Sequence, residues 1–268
     1  MLSVKKTPFV LIAAIALAGC QDDQADQGEI DTIVQNAQEQ MAEKTSYQMD
    51  TMVSGEEGQE YVTTTKILRD PFTFSIVEQQ AESEEEGQQP MTFMHDGSFY
   101  TEEPMLEEWI ELSAEESGIS GPESFQPAED QLTTLANHTD VLNLEETEDH
   151  YRLSASGTDD GVKDLALAFM GESPEELEVD LQDFNFELLI QKDDFTQERS
   201  ELSMEGEIAE VGQLISEEIV YEFSQFDQLE DVDYDEGAIE QAITLEEAQE
   251  KMEEMQADLE QEMEEQEE

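Results

Sequence analysis

The chain has one cysteine in 268 residues, one tryptophan, three histidines, and only 10 lysines and arginines against 72 aspartates and glutamates. A single thiol cannot close an internal disulfide, so packing alone must stabilise the fold. Nucleic acid is excluded as a partner, because binding a polyphosphate backbone needs clustered Lys or Arg and here the basic residues after Lys5 and Lys6 are scattered singly. An anionic membrane surface is disfavoured on the same ground. His95, His138 and His150 form no pair at metal-ligand spacing. No Gly-x-Ser-x-Gly elbow marks a serine nucleophile. Asp231, Asp233 and Asp235 are spaced like the first half of an EF-hand loop, but the glycine comes one place late, at Gly237, and Ala242 stands where the closing glutamate belongs. No metal, cofactor or enzymatic reaction is expected.

The excess of acids leaves a formal charge of −62 beside 37% apolar residues. A calcium sponge, a disordered acidic chain and a globular protein adapted to concentrated salt all fit that charge. The acids interleave with periodic apolar residues, which favours the third reading, a halophilic globular protein. At about 1 M salt the Debye length is roughly 3 Å, so repulsion between surface carboxylates is largely screened.

The cysteine explains itself through its neighbours. Lys5 and Lys6 precede an apolar run from Phe9 to Leu17, and the run ends in Leu17-Ala18-Gly19-Cys20. Residues 1–19 read as a secretory signal peptide, short for a permanent span. The last four residues resemble the bacterial lipobox, in which the cysteine sulfur receives a diacylglyceryl group and cleavage leaves it first. Two or three acyl chains, palmitate among them, hold a protein durably at a membrane. Cys20 is thus the expected lipidation site, residues 20–28 a solvated tether, and the outer face of the cell membrane the expected location.

Beyond the tether, Ile30, Ile33, Val34, Ala37 and Met41 recur at helical spacing. The period then falls to two. Strands are expected at "YQMDTMVSG", "YVTTTKILRD" and "FTFSIVEQQ", at a hairpin around Asp96-Gly97, at "EEWIEL", and from "DHYRLSAS" through "LQDFNFELLIQKDD", "FTQERSELSMEGEI" and "LISEEIVYEFSQF". Helices are expected in "AEDQLTTLANHTDVL" and "GVKDLALAFMG". Ten or so strands with two or three inserted helices make an α+β fold, a large curved antiparallel sheet with helices over one face. From Thr244 to residue 268 an acidic helix or tail follows, opened by a Thr244–Glu247 capping box.

The helix near the anchor, then "SYQMDTMVSG", "TTTKILRDPFTFSI", "FMHDGSFYTEEPMLEEWIEL" and the closing "YEFSQFDQLEDVDYDEGAIEQA", resemble lipoproteins of the LolA/LppX/RseB superfamily, in a Gram-positive branch of it. The resemblance covers residues 29–243 and implies an incomplete β-barrel whose concave face is covered by helices around an apolar cavity. It implies a lipid-like, apolar or amphipathic ligand, lining residues Phe72, Phe74, Ile76, Met91, Phe93, Trp109, Phe184, Phe186, Leu188 and Tyr221, and an adaptable contribution from Met49, Met52, Met91, Met94, Met170 and Met204. Each of these residues could instead be plain core. The alternative function is a protein-interaction or sensor module at the cell envelope, using the sheet edge or the C-terminal helix.

Overall fold

Strands that alternate apolar and acidic residues bury one face only, and antiparallel pairing lets the other face meet water. The computed structural model describes residues 23–54, 60–80, 91–171, 177, 179–209 and 212–266. The signal-like segment and Cys20 lie outside them. In chain order come α1 (Asp23–Glu43), β1 (Ser46–Ser54), β2 (Glu60–Arg69), β3 (Phe72–Gln80), β4 (Thr92–His95), β5 (Ser98–Glu103), β6 (Glu108–Leu112), α2 (Ala114–Ser117) and α3 (Pro127–Ala136). After these come β7 (Asn143–Glu146), β8 (His150–Ser156), α4 (Asp160–Phe169), β9 (Val179–Gln191), β10 (Gln197–Ile208), β11 (Gln213–Ser224), α5 (Glu236–Gln241), β12 (Ile243–Thr244) and α6 (Leu245–Gln266). α1 opens at Asp23, inside the stretch expected as tether.

The twelve strands form one sheet in the order β12-β6-β5-β4-β3-β2-β1-β11-β10-β9-β8-β7. The two halves join where β1 pairs with β11, placing Met49 opposite Phe223. β12 adds parallel to β6, with Ile243 beside Ile110, and makes the sheet mixed. The end strands β12 and β7 do not pair with each other, so the sheet stays open, as an incomplete barrel should.

α1, α3 and α4 cover one face. The stripe Ile30, Ile33, Val34, Ala37 and Met41 is almost wholly buried, against Leu132 and Leu135 of α3, Leu165 and Leu167 of α4, and Tyr47, Phe74, Leu153, Phe184, Leu188 and Ile190 of the sheet. Full burial stabilises by about 1.5–3 kcal/mol for each such aliphatic or phenyl side chain. Bulges help to curve the sheet around these helices. In β9, Asp183 lies opposite Glu205 and Leu181 opposite Gly206, so Gln182 is skipped. Leu181 and Phe184 therefore both reach the helix side. Gly206 eases the close approach at this bulge, because a Cβ there would stand 3.0 Å from the Asp180 carbonyl oxygen and 3.3 Å from the Val179 side chain.

On the other face, the segment from β11 to β12 crosses back over the first half of the sheet. Asp233 pairs with Lys66 at 2.6 Å, and Ala238 of α5 covers Phe93 and Tyr100. The Asp96-Gly97 hairpin is present, with positive φ of 49° and 83° as a type I′ turn demands. β7, β12, α2 and α5 are additions to the sequence reading. β7 carries Leu144 alone among polar residues, and β12, α2 and α5 span only 2, 4 and 6 residues, too few for a periodic signal.

Candidate functional site: a cleft between two covering helices

Pro127 opens α3 at its first turn, and Gly171, at φ 76°, follows the end of α4. Among the described residues the cover between these helices is incomplete. A cleft of about 260 Å³ reaches the sheet there, floored by Met49 of β1 and Tyr221 of β11 and walled by Pro127, Ala168 and Phe169. Thr51, two residues after Met49, lies directly opposite Tyr221, so the two floor residues share a face on neighbouring strands. The Phe169 ring is fixed by stacking on Phe186 at 4.9 Å. Burial, and after it the nearby Glu217 carboxylate, pushes the Tyr221 phenol above its ordinary pKa, so it stays neutral at physiological pH.

The rim is polar and belongs to α3: Asp130, Gln131 and Thr134. The Gln131 carbonyl oxygen accepts from the Gln197 amide and, at 2.9 Å, from the Ser200 hydroxyl. With both lone pairs engaged, Gln131 can meet a ligand only through its NH2 group. The Thr134 hydroxyl donates to the Asp130 backbone carbonyl at 3.1 Å. Asp130 itself is exposed at the mouth of the cleft. Its neighbour Glu129 turns the other way, is 7% exposed, and pairs with Arg69, which also donates to the Met41 carbonyl at 3.3 Å.

Two further depressions are polar. One crosses β8 to β11 on the helix-free face over Ser154, Ser156, Asn185 and Ser203; the other surrounds His150, whose Nε2 lies 2.7 Å from Glu198. Among the described residues no group of three or more His, Cys, Asp or Glu side chains is arranged to hold a metal ion. Asp233 is engaged with Lys66, and Asp235 accepts the Gly237 N–H at the start of α5.

Of the ten residues expected to line a cavity, Tyr221 lines the cleft. Phe74, Phe184, Phe186 and Leu188 are core beneath the helices, and Phe72 and Ile76 pack half-buried against them. Met91 is 40% exposed. Phe93 and Trp109 sit 5.4 Å apart in the separate cluster on the opposite face and cannot share a cavity with the others. Of the methionines, Met49 reaches the cleft while Met94 and Met204 are core. The sequence reading missed the α3 rim and Phe169. The signal was the pair of helix ends, Pro127 and Gly171, rather than any strand pattern.

No curated protein matches the chain by sequence. Among solved structures it is similar to the lipoprotein LppX of Mycobacterium tuberculosis, at 11% identity over 77% of this chain and 99% of that one, with a TM-score of 0.43. It is also similar to LprF of Mycobacterium bovis, at 10% identity over 76% and 95% of the two chains, TM-score 0.42. A LolA superfamily protein of Nitrosomonas europaea is similar at 15% identity over 75% and 93%, TM-score 0.26. Residues 29–243, from α1 to the first residue of β12, match the family of unknown function DUF6612, and the chain belongs to that family.

Proposed function

We propose that the protein is an envelope lipoprotein, anchored through Cys20 at the outer face of the cell membrane, that binds the apolar part of an amphipathic ligand in the cleft between α3 and α4. The observation that carries this reading is the apolar floor of Met49 and Tyr221, reached between α3 and the end of α4. Apolar clefts with a few polar groups at the rim are the usual form of small-molecule sites. At about 260 Å³ the space lies below the usual range for drug-sized ligands and suits one slender chain rather than a multi-chain lipid. No reaction is proposed. Among the described residues no helix is long and apolar enough to cross a membrane.

The test is organic extraction and mass spectrometry of the Cys20→Ser chain purified without detergent. A stoichiometric single-chain amphiphile supports the proposal; an empty protein that also takes up none when offered it sinks it. Acylation of Cys20 is read separately, from the mass of the N-terminal peptide of membrane-extracted protein.

A second reading is favoured by α6. Its beginning is docked through buried Ala248 and a Lys251–Glu108 ion pair, while Met252 is exposed. A partner protein held by α6 would be lost on deleting residues 244–268 while cleft binding persisted.

A further inference from the structure

We propose that the cleft selects a cationic headgroup, so that its ligand is an amine-bearing or quaternary-ammonium amphiphile rather than an anionic lipid. This rests on the function proposed above and adds the charge of the ligand. Adjacent acids on α3 have opposite fates. Glu129 is buried and neutralised by Arg69, whereas the Asp130 carboxylate has no hydrogen-bond or ion-pair partner among the described residues and stands on the rim above Met49 and Tyr221. Among the described residues no lysine or arginine lines the cleft. A tail laid on the floor would bring its headgroup to Asp130. Gln131, limited to donating, can meet an acceptor on the same headgroup. An anionic headgroup would meet an unpaired carboxylate in a chain of formal charge −62. In water, two unit charges 4 Å apart attract by about 1 kcal/mol, which is roughly a fivefold preference.

The experiment uses the full Cys20→Ser chain and displacement of a neutral fluorescent apolar probe by three amphiphiles with the same twelve-carbon tail. Their headgroups are trimethylammonium, uncharged oligo-oxyethylene and sulfate. All are used below micelle formation in about 0.3 M NaCl, where the diffuse field of the protein is screened beyond several ångströms. The ammonium compound is expected to bind about threefold or more tighter than the uncharged one, and the sulfate most weakly. Asp130→Asn should bring the ammonium-to-uncharged ratio towards one, Asp130→Glu should keep it, and Asp160→Asn, on α4 away from the cleft, should leave it as it was. Equal binding of the ammonium and uncharged compounds overturns the charge selection and leaves the cleft as a binding site. A preference that survives Asp130→Asn also overturns it, since the attraction would then be the general field. Failure of all three compounds overturns the proposed function itself.

Discussion

Arg69, the last residue of β2, is paired with Glu129 of α3 beneath the helix cover, with the Tyr47 ring 5.8 Å from the guanidinium carbon. Both partners are largely buried, at 16% and 9% side-chain exposure, so the pair ties the sheet to the helix that forms the cleft rim. Glu129→Ala leaves the guanidinium buried without its counter-charge and should cost about 3–5 kcal/mol. The Arg69→Met, Glu129→Leu double variant should recover most of that, because it leaves no stranded charge. Urea unfolding of the three proteins measures both.

Acid should loosen the junction between the two halves of the sheet. Asp227 accepts from the Thr45 N–H at 2.6 Å and hydroxyl at 2.9 Å, joining the chain after β11 to the start of β1. Partial burial pulls its pKa up, but the Thr45 bonds and Lys44 outweigh that and hold it below the ordinary carboxylate value. A folded-state pKa lower than the unfolded one means that the unfolded chain binds protons first as pH falls. The contribution is therefore complete above about pH 4 and lost as pH drops through the lowered value. Asp227→Asn should flatten that part of the stability–pH curve, read by thermal melts from neutral pH downward.

Salt should act in the opposite sense from its effect on a protein held together by surface ion pairs. With −62 formal charges, repulsion in the folded state outweighs the few pairs that salt would weaken. The melting temperature should rise between dilute buffer and about 1 M NaCl, where the Debye length is roughly 3 Å. An unchanged or falling midpoint would contradict the expectation of a fold adapted to concentrated salt.

Most of the sheet was legible because its strands alternate. Phe184, Phe186, Leu188 and Ile190 are buried in the row that their spacing implies, and the Asp96-Gly97 turn is where the dipeptide places it. The sequence could not say which face a row serves when both faces are apolar. In β4, Phe93 and Met94 are adjacent and both buried, on opposite sides of the sheet, so the hairpin pattern alone could not assign Phe93 and Trp109 to the helix-free face. Short elements such as β12 take their geometry from a neighbour, here β6, and have no pattern of their own. The cleft was hidden for a further reason. It lies between two helix ends and follows no strand pattern, and Glu129 and Asp130 read alike in sequence although one is inside and the other at the rim.

The most direct test of the cleft is to close it. Ala168 lies on α4 within the wall, and Ala168→Trp would place an indole over Met49 and Tyr221 while keeping the helix. Titration of the Cys20→Ser chain with a neutral fluorescent apolar probe should show one saturable site, and Ala168→Trp should abolish it with little change in melting temperature. Saturable binding that is the same in both proteins, or none in either, would contradict a ligand site between α3 and α4.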